Sequence, residues 1–278
     1  DHTIYGACLA FMVPIVAILY FKSSLFKLSY FHKILTGVSF VCFLFGIYFS
    51  HSRATWISLD CALVMFIILR LKISYRFLML VLGLCLLLVF FNLEVVMPVL
   101  IKNKYDSKAK RANLEEQIRS VTNIKNDVSN VERVNRWLCA TRMFNERPLA
   151  VFGIGTFQFK YIPFQKGSEM TEISITSPKN NLKQGMGGTA HSEYLLAFSE
   201  SGFLAGVVLL IIPSYVLYLG MKLYYKFQDE RKYYALMVLL SLLTYFVHGI
   251  FNNFLTTDKA AFLVWGGMAT LAVLDIQY

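Results

Sequence analysis

Seven apolar runs, at about 4–21, 34–50, 54–70, 75–99, 203–221, 233–251 and 260–276, govern what this chain can become. A helix needs about 20 mostly apolar residues to cross a bilayer, and each run meets or approaches that length. The expected fold is therefore an all-α, polytopic membrane helix bundle of about seven spans. Composition agrees: 56% of the residues are hydrophobic and 16% charged, against about 25% charged in an ordinary soluble domain. One long polar segment, 102–190, interrupts the series. The chain thus divides into spans one to four over 1–101, a large, mostly helical loop over 102–190, and spans five to seven over 191–278.

The net charge is +10. In a soluble chain that balance would point to nucleic acid. Here most short basic clusters sit between apolar runs, so topology and contact with anionic membrane lipids explain much of it, and no nucleic-acid partner is expected. The 22–33 link carries Lys22, Lys27 and Lys33; the 70–76 link carries Arg70, Lys72 and Arg76; the 222–232 link carries Lys222, Lys226, Arg231 and Lys232. The alternate links are poor, with Arg53 alone in 51–54 and Lys259 alone in 252–259. The excess of basic residues in cytoplasmic loops puts the rich links inside. All seven runs then alternate without conflict, and the long loop falls outside, on the side of Arg53 and His191. The chain opens on Asp1 and enters an apolar run without a basic start or a clear cleavage site, so it reads as a piece whose N-terminal part is missing. Cys8, Cys42, Cys61, Cys85 and Cys139 form neither a disulfide framework nor a CxxC pattern and read as small buried residues.

Within the loop, 102–130 reads as a surface helix followed by coil. A second helix is expected over 131–146, with Ser129 and Glu132 as a capping box and Pro148 marking its end. At 100° per residue, Arg133, Arg136, Trp137, Ala140, Phe144 and Arg147 share one face of it, while Val131, Val134, Leu138 and Thr141 form the aliphatic face expected to pack. The Gly-, Ser-, Thr- and Asn-rich stretch 167–189 reads as a flexible loop.

Three constellations could carry chemistry. Arg53, at the outer end of a span, can reach a lipid phosphate, with Trp56 as an interface anchor; simple snorkelling gives the same pattern. Arg133 and Trp137 are i,i+4 neighbours, and stacking would hold a guanidinium fork suited to phosphate oxygens; a solvated helix face is the plainer account. His191 opens a helix-like run over 190–199, though a lone histidine is more often structural. On a continuous helix Glu193 and Glu200 lie opposite His191, so neither could orient it unless the helix broke. Gly153-Ile154-Gly155-Thr156-Phe157 lacks the third glycine of a dinucleotide fingerprint. No Asp-x-Asp pair exists, so no metal site and no cofactor are expected, and charge stabilisation falls to arginine and lysine.

In order along the chain, Ser52-Arg53-x-x-Trp56, Arg133-x-x-x-Trp137, Pro148-Leu149, Gly153-x-Gly155-x-Phe157, His191-x-x-Tyr194-Leu195 and Glu200-x-Gly202 resemble the motifs of the O-antigen ligase and polymerase family of bacterial membrane glycosyltransferases. The resemblance covers about 40–220, with Ser192 standing where Asn is common. It implies an inner-membrane enzyme that moves a glycan from undecaprenyl diphosphate to an acceptor hydroxyl, on another glycan or a lipid A core, at the periplasmic face without metal. Carried over, Arg53 and Arg133 would hold the diphosphate and His191 would act on the acceptor, with Arg136, Trp137, Tyr194, Glu200 and Trp56 around the substrate. A transporter of lipid-linked sugars is the competing class; such proteins place charges near the midplane, whereas the spans here carry mainly Asp60, Glu94 and His248.

Overall fold

The computed structural model describes residues 2–91, 128–171, 173–175 and 188–277. Most of the helix and coil expected over 102–130, the tail of the fourth apolar run (92–99) and much of the flexible loop expected over 167–189 (172 and 176–187) lie outside the described residues. Regular structure among the described residues is helix alone: α1 (His2–Phe21), α2 (Tyr30–Phe49), α3 (Arg53–Arg70), α4 (Tyr75–Phe91), α5 (Val128–Glu146), the short α6 (Phe157–Lys160) with a 3-10 turn at Ile162–Phe164, α7 (Glu193–Lys226), α8 (Glu230–Phe251) and α9 (Asp258–Ile276). They fall into two compact units, Asp1–Leu78 with Val208–Tyr278, and Met79–Val207.

Among the described residues five helices, α1, α2, α7, α8 and α9, are long and apolar enough to cross a membrane. Of the other two expected spans, α3 carries Arg53, Asp60 and Arg70 within 18 residues, and α4 is described over 17 residues, the rest of its apolar run lying outside the described residues.

In the first unit α8 is the central helix. It packs against α1, α3 and α9, while α1 also packs on α2. Buried positions recur on every turn of α8 from Ala235 to Gly249. In contrast, α2 buries only Ile47 and leaves Phe45 and Phe49 61% and 67% exposed. An apolar helix with its aromatic side chains turned outward suits a lipid surface. Lipid tails are as apolar as Leu, so helices in a bilayer gain little from hiding apolar side chains and associate by close fit. Small residues supply that fit on α1, where Gly6, Ala7 and Ala10 are buried.

The links sort by position as they do by charge. The basic links meet at one end: Lys22 Nζ lies 5.2 Å over the Tyr233 ring, Phe26 meets Tyr234 edge-on at 5.2 Å, and Tyr225 OH donates to the Ile73 carbonyl at 3.5 Å. Toward the other end of α8, His248 approaches Thr55, close in the chain to the charge-poor links 252–259 and 51–54.

The second unit is held differently. A cluster of Cys139, Ala140, Met143, Phe157, Tyr161 and Ala190 forms its core, with Phe157 and Tyr161 stacked at 5.0 Å. Helix α5 ends at Glu146, just before Pro148, as expected. It begins at Val128, so Ser129 lies inside the first turn and not at the cap. Its buried face is Glu132, Asn135, Arg136, Cys139, Ala140 and Met143, a spacing of i, i+3, i+4, i+7. The aliphatic face of Val131, Val134, Leu138 and Thr141 is half-buried or exposed, which corrects the expected packing. A polar face can be buried when its groups satisfy one another, and here they do.

Candidate functional site

Glu132 anchors that buried polar face. Its carboxylate accepts from Arg136 Nε at 3.0 Å, Thr171 Oγ1 at 2.9 Å, Asn135 Nδ2 at 3.3 Å and Ser174 Oγ. The Arg136 guanidinium also donates to the Thr189 carbonyl at 3.2 Å and lies 5.2 Å over the Tyr161 ring. A second pair, Arg142 Nη2 to Glu169 at 2.6 and 2.7 Å, with Arg142 Nη1 on the Phe164 carbonyl at 2.8 Å, ties α5 to the segment after α6. Burial pushes the neighbouring Cys139 thiol up to about 12, so it remains a thiol at neutral pH.

Next to this network the chain reaches His191. It sits in the left-handed backbone region, at φ 51°, a conformation costly for a residue with a Cβ. Surrounding bonds hold it there. Trp137 Nε1 donates to the His191 carbonyl at 3.2 Å, and the His191 amide donates to Thr189 Oγ1 at 3.3 Å. Helix α7 begins two residues later, at Glu193, with the Leu196 amide on the Ser192 carbonyl at 3.0 Å. His191 therefore stands before the helix, and the expected helical run from 190 is corrected. The opposition of Glu193 and Glu200 to His191 on a single wheel has no bearing on where its imidazole points.

Burial, then the positive fields of Arg136 and Arg133, hold the His191 imidazole down at about 4, with Glu132 opposing weakly. The ring is neutral at pH 7 and available to accept a proton. Arg133 and His191 are thus close enough for one charge to act on the other, and Trp137 connects the same helix face to the histidine backbone. Tyr194 is half-buried in the first turn of α7.

Glu200, expected to touch substrate, holds the backbone. Its two oxygens accept from the Gly155 and Phe157 amides, each at 2.8 Å, and its carbonyl accepts from the Gly153 amide at 2.9 Å. Such charge-assisted bonds to backbone amides are among the stronger kinds. Two residues on, Gly202 breaks α7 with φ 77° and ψ −172°, and the Phe203 amide donates to the Pro148 carbonyl at 2.9 Å. A Cβ at Gly202 would come within 3.0 Å of that carbonyl oxygen. Pro148-Leu149, Gly153-x-Gly155-x-Phe157 and Glu200-x-Gly202 are thus one tied structure. Arg136, also expected at the substrate, is 6% exposed and braces Thr189 from within.

Arg53 and Trp56 belong to the first unit. Arg53 is exposed at the first position of α3, after Ser52 in extended conformation, and Trp56 is exposed within the same first turn. The sequence reading gave Glu132 only a capping role and passed over Thr189 and Tyr161. Only the i,i+4 spacing of Glu132 and Arg136 signalled the pair beforehand.

A family model described as O-antigen ligase matches residues 38–210. No curated protein and no solved structure matches the chain. The matched segment includes Arg53, the polar face of α5, His191 and the Glu200–Gly202 break. Together with the exposed apolar helices, the match makes this a multi-pass membrane protein of a glycosyltransferase type acting on lipid-linked glycans. The chain belongs to the O-antigen ligase family.

Proposed function

We propose that the protein transfers a glycan from undecaprenyl diphosphate to an acceptor hydroxyl, of a lipid A core or of another glycan, at the periplasmic face of the inner membrane, without a metal ion. The observation that carries this reading is the neutral, left-handed His191 beside Arg133. In this reading α3 and α4 complete seven spans, the end gathering the basic links is cytoplasmic, and the polar unit is periplasmic.

The acceptor oxygen attacks the anomeric carbon as the carbon–oxygen bond to the diphosphate breaks. The bonding pair leaves with undecaprenyl diphosphate, and the hydroxyl proton passes to the His191 imidazole. Arg53 and Arg133 neutralise the charge that grows on the departing diphosphate, the kind of stabilisation that dominates in sites sheltered from water. The same charge explains how a histidine held near 4 can act as a base. Burial, then Arg136 and Arg133, depress its basicity in the free enzyme; a bound diphosphate offsets the arginines' charge, and the imidazole becomes a stronger proton acceptor only when donor is present. Trp137 holds the His191 carbonyl and Arg136 that of Thr189, Glu200 fixes the 153–157 turn, and Tyr194 and Trp56 contact the bound substrates.

Purified protein given an undecaprenyl-diphosphate oligosaccharide and an acceptor should transfer sugar in the presence of EDTA. A strict metal requirement would overturn the arginine-based scheme. Product size separates the two activities of the family, since a ligase adds one block and a polymerase extends repeat by repeat.

A further inference from the structure

A buried polar cluster in the helix bundle has no part in the chemistry above. His248, on the central helix α8, is 1% exposed. Its Nε2 lies 3.5 Å from Thr55 Oγ1, and its Nδ1 lies 3.3 Å from Asn252 Nδ2. With the Asn252 amide donating to Nδ1, the ring hydrogen sits on Nε2 and is donated to Thr55. Thr55 itself is fully buried and stands two residues after Arg53, in the first turn of α3. That turn follows a tight corner: His51 has φ 49°, the Ser52 amide donates to Ser50 Oγ at 3.4 Å, and Ser50 Oγ donates to the Ile47 carbonyl at 2.7 Å. Helix α1 closes on the same corner through a residue without a side chain. A Cβ on Gly6 would lie 2.7 Å from Thr55 Oγ1 and 2.9 Å from Ser50 Oγ.

A polar group sealed in an apolar bundle is costly unless bonded, and a histidine there demands a reason. We propose that His248 is a positioning residue: through Thr55, with Gly6 packed on the same turn, it fixes the start of α3 and so holds Arg53 at the diphosphate of the donor. This rests on the donor role proposed for Arg53. The clamp joins Thr55, inside the segment matched to the family, 38–210, to His248 beyond it. The exposed guanidinium has a long, flexible stem, and its aim depends on the helix turn from which it springs.

The test measures binding of radiolabelled farnesyl diphosphate to the full chain in lipid nanodiscs, with thermal unfolding as a control on folding. Arg53→Ala should weaken binding by about 30-fold, as expected for a lost charge-assisted contact. His248→Leu, Thr55→Val and Gly6→Ala should each weaken it by roughly three- to tenfold, the scale of one hydrogen bond or a small shift. Thr55→Ser and His248→Gln, which keep a hydroxyl and a donor, should retain near-normal binding. In the Arg53→Ala background, Thr55→Val and His248→Leu should add nothing. An effect of Arg53→Ala with none from Thr55→Val or Gly6→Ala overturns the clamp and leaves the role of Arg53 standing. Further weakening in the Arg53→Ala background shows a general packing role and also overturns it. No effect of Arg53→Ala removes the donor role and the clamp together.

Discussion

The two units solve opposite problems. The helix bundle has an apolar core around Leu223, Leu239 and Leu242 and still turns many apolar side chains outward, as on α2 with Phe45 and Phe49, while Thr55, Ser58 and His248 are buried. In the polar unit the core is aromatic and sulfur-rich, around Phe157, Tyr161, Cys139 and Met143, and its irregular backbone is tied down by side chains. Glu200 binds three residues of the 153–157 turn, and Arg136 and Trp137 bind the chain on either side of Ala190. The bundle derives its order mainly from packed helices, with side-chain ties at the corner before α3. The polar unit can place a histidine in a strained, left-handed conformation because the ties over-determine it. In the proposed scheme the base lies where backbone is irregular and held, and the bundle supplies Arg53 and a lipid-facing frame.

That contrast can be broken most sharply at His191. Replacement by Ala should lower transfer by about 10²- to 10⁴-fold, the range for loss of a general base, with membrane insertion and thermal unfolding close to wild type; near-normal turnover removes His191 from the mechanism. Next in size is Glu132→Ala, which leaves the Arg136 guanidinium buried without its carboxylate. A broken buried pair costs about 3–5 kcal/mol, readable as a large fall in the unfolding midpoint. Glu200→Ala should cost about 1–3 kcal/mol by leaving the Gly155 and Phe157 amides without their acceptor, with turnover falling further than donor binding because the adjoining turn loosens. A pH series is subtler. The folded imidazole titrates at about 4, below its ordinary 6.5, so between those values the unfolded chain binds a proton that the folded chain does not. Stability is complete above 6.5 and is lost as pH falls toward 4, and His191→Asn should remove that slope. The acid limb of kcat/KM, which reports the free enzyme, should lie below that of kcat, which reports the donor complex; coincident limbs near 6.5 would refute the field of the arginines. The smallest effect belongs to the bundle surface, where Phe45→Leu should change stability by less than about 0.5 kcal/mol.

Much of the bundle was legible in the sequence because hydropathy is a local signal. The run at 4–21 became His2–Phe21 and that at 233–251 became Glu230–Phe251. The links sorted by charge also sort by end of the bundle. The polar unit was legible only at its punctuation, such as the stop at Glu146 before Pro148. Periodicity marks apolar stripes, so it pointed to Val131, Val134 and Leu138 and passed over the polar stripe of Glu132, Asn135 and Arg136 that is buried instead. The conformation of His191 depends on Trp137, 54 residues earlier in the chain, and Glu200 depends on amides more than 40 residues away. No window along the chain contains both partners. The clamp on Arg53 was hidden for the same reason, with Thr55 and His248 lying 193 residues apart.

The break at Gly202 also shapes how this chain can change. A residue inserted into a continuous helix turns everything beyond it by about 100°. The run from Glu193 to Glu200 is pinned through Glu200 to 153–157, and Gly202 separates it from the long apolar remainder of α7, whose first residue, Phe203, is tied to Pro148. Register slips and length changes beyond Phe203 are therefore absorbed before they reach Glu200. The membrane stretch is free to adapt to bilayers of different thickness, while the phase of the histidine-bearing turn is kept.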